Sequence, residues 1–476
     1  MSDIPLWQMS AVQLAAAFKH GTSTATAVLF AIQQRLDEVN EALNAVVTLN
    51  PNAAAEAAES DRRIAAGTAR STLEGVPVTI KDNLLAQGMA ATWGSRVHAN
   101  FIPTHDELPV RRLRAAGAVV IGKTNVPEFT VEGYTHNAVF GTTRNPWDLR
   151  LTPGGSSGGA VAAVAAGIAP IALGTDGGGS IRRPAAHAGL VGLKPTLGRV
   201  ARQDGFPRIL LDMEVVGPIC RCVADVRLTM EILAAADTRD QRSLLATSSP
   251  RRSARSLRVL YVPHFGKEPV DAEIATSVSA ATAVLTNLGH AVHTAELPFC
   301  IAAINAAWPI IGQVGVSRYV QSLGANDTQL GPTARQMAEA GAAIHARDFA
   351  AVIETLEDFR AQVAIAFREF DLLVTPTNAA LPWPAEQAFA QSIDGQTVGP
   401  RGHAVFSGWV NACGHPAITL PCATSASGLP IGMQLVAGFA NDDLLLDVAQ
   451  GYEAAAPWAH RWPDLDTYAR TKAPTD

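Results

Sequence analysis

One lysine and two glycine-flanked serines carry the chemistry open to this sequence. Lys81 closes a short apolar run in Gly75-Val76-Pro77-Val78-Thr79-Ile80-Lys81-Asp82-Asn83. Ser156 and Ser157 stand in Pro153-Gly154-Gly155-Ser156-Ser157-Gly158-Gly159. Ser180 stands in Thr175-Asp176-Gly177-Gly178-Gly179-Ser180-Ile181-Arg182-Arg183-Pro184. Cleaving an unactivated amide requires a nucleophile, a base for its proton, an acid for the leaving amine and donors for the oxyanion. A serine hydroxyl is a weak nucleophile without a base, and lysine is a base only when burial has lowered its pKa. These are the parts of a hydrolase that needs no histidine, metal or cofactor.

Each part also has a plainer reading. A lysine ending a strand often keeps a solvated head. Glycines before a helix commonly cradle phosphate, but here Ala160-Val161-Ala162-Ala163 follows Gly159, where a phosphate loop would carry lysine. The glycines 177–179 suit an oxyanion hole, because consecutive N–H groups without Cβ atoms can converge on an anion. The alternative there is a tight turn with a satisfied hydroxyl.

The elements that position these residues alternate between strand and helix. Residues 1–70 read as helices: Ser10 with Gln13 resembles a capping box, Gly21 ends that helix, and 24–39 has helical spacing. Asn50-Pro51 reads as an N-cap with proline at the first helical position, leading to a helix that stops near Gly67. Strands are expected at 76–81, 118–122, 170–173, 257–262, 291–295, 372–375, 417–420 and 431–436. Helices are expected at 107–116, 158–166, 272–288 and 442–454. The alternation predicts an α/β fold with a mixed, largely buried sheet. Residues 237–256 are polar and arginine-rich and read as an exposed connection; 470–476 read as frayed.

Bulk properties narrow the function classes. The chain has 476 residues, with 48% hydrophobic, 17% charged and a net charge of −6. Length alone suggests about three domains, at ~150 residues each, but the motifs span most of the chain. With no basic block, nucleic-acid binding has no electrostatic support. The start, Met1-Ser2-Asp3-Ile4-Pro5-Leu6, lacks a signal peptide's basic and apolar regions. The small-apolar run 158–174 is interrupted by Gly167 and Pro170 and is too short to span a membrane. Cys220, Cys222, Cys300, Cys413 and Cys422 are odd in number and lack framework spacing, which predicts free thiols in the cytoplasm. Cys220-Arg221-Cys222 has no second ligand pair, so no metal site is expected.

Lys81 and the two serine clusters together resemble the amidase signature family. The same pattern runs through Gly75-Val76-Pro77, the stretch 114–125, Gly141-Thr142-Thr143-Arg144-Asn145-Pro146-Trp147, Gly192-Leu193-Lys194-Pro195-Thr196, Gly414-His415-Pro416 and Gly428-Leu429-Pro430-Ile431-Gly432. It covers roughly 73–458. The resemblance implies the amidase signature fold, a mixed central β-sheet covered by helices on both faces. A helical layer at 1–70 would precede a catalytic domain at 71–465, with a variable pocket region at about 237–410. Ser180 would form the acyl-enzyme, Ser156 would bridge on a cis peptide after Gly155, and Lys81 would be the ultimate base. The family separation of 24 residues selects Ser156 over Ser157 as the bridge. Ser157, Asp176 and Arg182 would support the site through hydrogen bonds. The N–H groups of Gly177, Gly178, Gly179 and Ser180 would hold the oxyanion. Gly177 departs from the threonine of many members.

Two activities follow from the resemblance: a stand-alone amidase, or the ammonia-releasing subunit of a complex that amidates misacylated transfer RNA. That subunit usually carries glutamine where this chain has Arg183. Candidate pocket loops are 129–137, 303–313 and 404–411. Tyr134, His136, Trp308, Phe406 and Trp409 are candidate walls. Arg183 is expected either to face a substrate carboxylate or to pair with an aspartate such as Asp176. No cofactor is implied. The expected partners are a small-molecule amide and, in a homodimer, a second copy, with no nucleic acid and no membrane.

Overall fold

The computed structural model describes residues 4–245, 256–324 and 329–465. Eleven strands join in one sheet. In chain order they are β1 (Val46–Leu49), β2 (Pro77–Lys81), β3 (Val119–Thr124), β4 (Ile171–Asp176), β5 (Val191–Lys194), β6 (Val215–Cys220), β7 (Arg258–Tyr261), β8 (Ala291–Thr294), β9 (Leu372–Pro376), β10 (Ala417–Thr424) and β11 (Pro430–Ala437). Across the sheet the order is β1-β3-β2-β4-β6-β5-β10-β11-β9-β7-β8. β2 runs parallel to both β3 and β4, whereas β4 and β6, like β10 and β11, pair antiparallel. The sheet is therefore mixed, as expected, and it is flanked by helices. Every residue of β2, β3, β4 and β6 is buried. Strands covered on both faces read as continuous apolar runs rather than alternations, which is why Lys81 at the end of β2 is exceptional.

The first six helices in chain order are α1 (Ala11–Lys19), α2 (Ala25–Leu43), α3 (Ala53–Ala65), α4 (Leu108–Ala115), α5 (Gly158–Ala165) and α6 (Arg182–Ala188). The expected capping box is present, with Ser10 and Gln13 bonded reciprocally, and Gly21 follows α1 at φ 67°. The small residues of α5 let it lie directly on β2, β3, β4 and β6, buried along its whole length. α6 packs on β5, β10 and β11. One serine cluster opens α5 and the other joins β4 to α6.

Several expectations need correction. The first 70 residues are not all helical, since the β-branched run Val46-Val47-Thr48 forms β1 and pairs antiparallel with β3. α3 starts at Ala53 rather than just after Asn50. The Asn50 side chain is drawn away from capping: its Oδ1 accepts from the Asn52 N–H, and its Nδ2 donates to the Val120 carbonyl. The stretch 303–313, expected as a pocket loop, lies inside a helix, Ala302–Leu323, despite Pro309. Packing against the helix Pro332–Ala342 outweighs local propensity there. Within 237–256 a short helix, Gln241–Leu245, forms; 246–255 lies outside the described residues, as does 470–476. No described helix is long and apolar enough to cross a membrane.

Next to β2 the buried pair Lys123–Asp82 (3.6 Å, both side chains 0% exposed) braces the turn that follows Lys81. Removing one member of a buried ion pair leaves an uncompensated charge, costing about 3–5 kcal/mol. Lys123→Ala is therefore expected to lower the denaturation midpoint markedly in urea titrations; an unchanged midpoint would show that the Thr92 hydrogen bonds to Asp82 suffice.

Candidate active site

β2 delivers Lys81 into the interior, where its Nζ lies 2.9 Å from Ser156 Oγ, 2.9 Å from Thr175 Oγ1 and 3.1 Å from the Thr175 carbonyl. Among the described residues no carboxylate pairs with Nζ. Burial lowers the Lys81 pKa to about 7; Glu214 and Asp176 raise it, and Arg202 and Arg183 lower it further. A lysine in that state is substantially neutral near pH 7, so two N–H groups can donate to Thr175 while the lone pair accepts the Ser156 proton. Thr175 Oγ1 is itself fixed by Asn83 Nδ2 at 3.1 Å.

The Gly155–Ser156 peptide bond is cis, as expected. Gly155 is required for space: a Cβ there would lie 2.5 Å from the Tyr134 carbonyl oxygen. Ser157 Oγ donates to the Thr175 carbonyl at 3.3 Å, and its N–H donates to the Ser180 carbonyl at 3.2 Å. The two serine clusters are thus stitched together. Exposure grades outward, from Lys81 at 0% through Ser156 at 1% to Ser180 at 7%, so Lys81 is deepest and Ser180 is nearest solvent.

Asp176 organises the loop that carries Ser180. Its carboxylate accepts from the N–H groups of Gly179 (2.7 Å), Ile181 (3.1 Å) and Arg182 (3.3 Å), from the Arg182 guanidinium at 3.0 and 2.9 Å and from Asn411 Nδ2 at 3.0 Å. Burial alone would raise its pKa, but the charge and hydrogen bonds of Arg182 hold it well below the usual carboxylate range. Arg182 is completed by Gln434, Asn411 and the Ser407 carbonyl. This corrects one expectation: the Gly179 N–H is spent on Asp176 and is not available to an oxyanion. Among the described residues, no protein hydrogen bond occupies the N–H groups of Gly177, Gly178 or Ser180.

The departure at Gly177 has a packing counterpart. A Cβ at 177 would lie 2.5 Å from Leu210 Cδ1, and one at 178 would lie 2.9 Å from Trp308 Cζ2. Leu210 and Trp308 fill the space beside the loop 177–179.

The expected walls separate. Trp308 lies at the loop, and Tyr134 contributes its backbone against Gly155. His136 is exposed in a small hairpin, bonded to Thr142 Oγ1 at 2.9 Å. Trp409 and Phe406 are core residues, packed on Phe299 and Phe265. Arg183 does not pair with Asp176; its Nη1 meets His403 Nε2 at 2.6 Å and its Nη2 lies 3.4 Å from the Gly155 carbonyl. Sequence reasoning gives no role to Thr175, Asn83 or Gln434, and it takes 404–411 for pocket wall, although Ser407 and Asn411 brace the loop.

A family model described as Amidase matches residues 27–446. The chain belongs to the amidase signature family. It is a hydrolase of carbon–nitrogen amide bonds. A similar curated protein is a glutamyl-tRNA(Gln) amidotransferase subunit of Picosynechococcus sp., 35% identical over 90% of this chain and 94% of that protein. Among solved structures, a 6-aminohexanoate cyclic dimer hydrolase superposes with TM-score 0.86 at 30% identity, covering 97% of this chain and 100% of that one. A bacterial aryl acylamidase superposes with TM-score 0.87 at 27% identity, covering 98% and 99%.

Thr175 supplies a test of the Lys81 environment. In Thr175→Val the ammonium form of Lys81 loses an acceptor, so its pKa should fall further and the acidic limb of kcat/KM against pH should move to lower pH. An unmade hydrogen bond of about 1–3 kcal/mol should cost roughly 10- to 100-fold in kcat/KM on the plateau. A limb that stays in place or moves upward would show that the hydroxyl does not tune Lys81.

Proposed function

We propose that this amidase acts alone, in the cytoplasm, through a covalent acyl-Ser180 intermediate, with Ser156 as proton bridge and Lys81 as ultimate base. The observation that supports it most is the 2.9 Å approach of a buried, acidified Lys81 to Ser156 Oγ. Neutral Lys81 takes the Ser156 proton as Ser156 takes that of Ser180. Ser180 attacks the amide carbonyl, and the N–H groups of Gly177, Gly178 and Ser180 receive the oxyanion. The relay then runs backward: Ser156 gives a proton to the leaving nitrogen and recovers one from Lys81. Water attacks the ester by the same route, releasing a carboxylic acid and restoring Ser180. The fixed hydrogen bonds of Asp176 to the loop mean that little reorganisation is needed at the moment of attack.

A second reading has its own support. The curated relative at 35% identity is an amidotransferase subunit, and in that setting the chain would release ammonia from glutamine for a partner protein. Arg183, where such a subunit usually carries glutamine, favours the independent enzyme. The readings separate on purified protein. The stand-alone enzyme should hydrolyse simple carboxamides without partner or ATP, and Ser180→Ala should lose at least three orders of magnitude with its circular dichroism unchanged. Activity that appears only on adding amidotransferase subunits would select the second reading; substantial turnover by Ser180→Ala would remove Ser180 as nucleophile.

A further inference from the structure

Gly177 lacks a side chain for reasons of space. Its φ is not left-handed, so the backbone itself does not call for glycine there. What excludes a side chain is Leu210, whose Cδ1 lies 2.5 Å from the point that a Cβ at 177 would take.

Leu210 is held in that place by its surroundings. It opens a turn in which the Met213 N–H donates to the Leu210 carbonyl at 3.0 Å and Leu211 takes φ 52°. A left-handed φ is disfavoured for leucine and persists only where the neighbouring structure enforces it. Asp212 in the same turn is anchored by Arg360 at 2.7 Å. On the other side the helix Ala302–Leu323 lies directly on the turn, since a Cβ at Gly315 would overlap the Ile209 carbonyl. At Gly312 of that helix a Cβ would lie 3.1 Å from Met337 Cε and 3.7 Å from Leu210 Cδ2. One turn earlier, Trp308 brings its indole edge to Gly178, while the exposed Arg401 lies over its ring.

Leu210, Trp308 and Met337 therefore set an apolar face against the loop that carries Ser180. Glu214, whose Cβ lies 3.7 Å from the Cβ position at 177, is engaged by Arg202. Gly178, Leu210 and Met337 are each partly exposed, so a small molecule can reach this face. The proposed mechanism decides which end of the amide meets it. The leaving nitrogen must face Ser156, which gives it a proton, and the carbonyl oxygen must face the N–H groups of Gly177, Gly178 and Ser180. The acyl group is left with the remaining side, where Leu210 stands against the loop.

We propose that Leu210 is a specificity-determining residue: it occupies the space of a side chain at 177 and, with Trp308 and Met337, restricts the substrate to amides whose acyl group is apolar and unbranched beside the carbonyl. This inference deepens the amidase reading and rests on it for the identity of the bond cleaved.

The test measures kcat/KM for butyramide, isobutyramide, 2,2-dimethylpropanamide and succinamate. The wild type should prefer butyramide at least tenfold over each of the others. Leu210→Ala should shift the ratio of isobutyramide to butyramide at least tenfold toward the branched amide. Gly177→Thr should lose at least 100-fold on butyramide, and adding Leu210→Ala should recover at least tenfold of that loss, because the two positions share one space. Preference for a branched amide or succinamate in the wild type, a ratio unmoved by Leu210→Ala, or no recovery in the double variant overturns the proposal. Urea midpoints separate it from the reaction. Gly177→Thr should lower the midpoint and added Leu210→Ala should raise it again; two independent losses overturn the shared space even if no amide is cleaved. A wild type that hydrolyses no amide, with the midpoints coupled as expected, would overturn the amidase reading and leave the packing of the pair standing.

Discussion

A lysine amine buried without a counter-carboxylate is the constraint on which this structure turns. Among the described residues no acid pairs with Lys81 Nζ; its contacts are a serine hydroxyl, a threonine hydroxyl and a carbonyl. In the proposed mechanism, desolvation does what a histidine does in other hydrolases, by making a strong base available near neutral pH. The sheet exists in the form that this requires. β2 is interior, flanked by β3 and β4 and covered by α5, so the lysine at its end is fully buried. A solvated β2 would return Lys81 to its ordinary pKa and leave Ser156 and Ser180 as unreactive alcohols.

The second requirement is a rigid loop for Ser180, and Asp176 meets it. Three backbone N–H groups, one guanidinium and one amide converge on a single buried carboxylate. The charge is fully paired by Arg182, whose remaining donors reach Gln434, Asn411 and Ser407. Pairs of this kind are weak as sources of stability and useful for defining one geometry. Here the geometry is that of the loop 176–182. Residues 404–434 thereby reach back to hold residues 176–182, so the C-terminal part of the chain is built into the loop that carries Ser180.

Much of this was legible in the sequence because the chemistry is local. Lys81, Ser156 and Ser180 sit in short glycine-bearing strings whose order and spacing resemble a known family. Most strands of the sheet and about half of the helices followed from apolar runs, but β5, β6 and the helices Val223–Leu233 and Ala346–Ala366 were not expected. What escaped was set by contacts distant in sequence. β1 hides among helices because four residues give little periodicity until β3 supplies a partner. Residues 303–313 carry proline and glycine, yet a facing helix makes them helical. The Gly179 N–H looked free because nothing in Gly177-Gly178-Gly179 shows that Asp176 folds back onto it. Aromatic residues were the least informative, for Trp308 and Trp409 look alike in sequence while one lines the loop and the other lies in the core.

The central claim is that neutral Lys81 activates Ser180 through Ser156. Its most direct test is the rate of fluorophosphonate labelling, followed by intact-protein mass across pH 5–9 for the wild type, Lys81→Ala and Ser180→Ala. One adduct is expected on the wild type, absent from Ser180→Ala, forming along a limb that rises with pH through about 7 and slowed by orders of magnitude in Lys81→Ala. A pH-independent labelling rate, or equal labelling of Lys81→Ala, would contradict it.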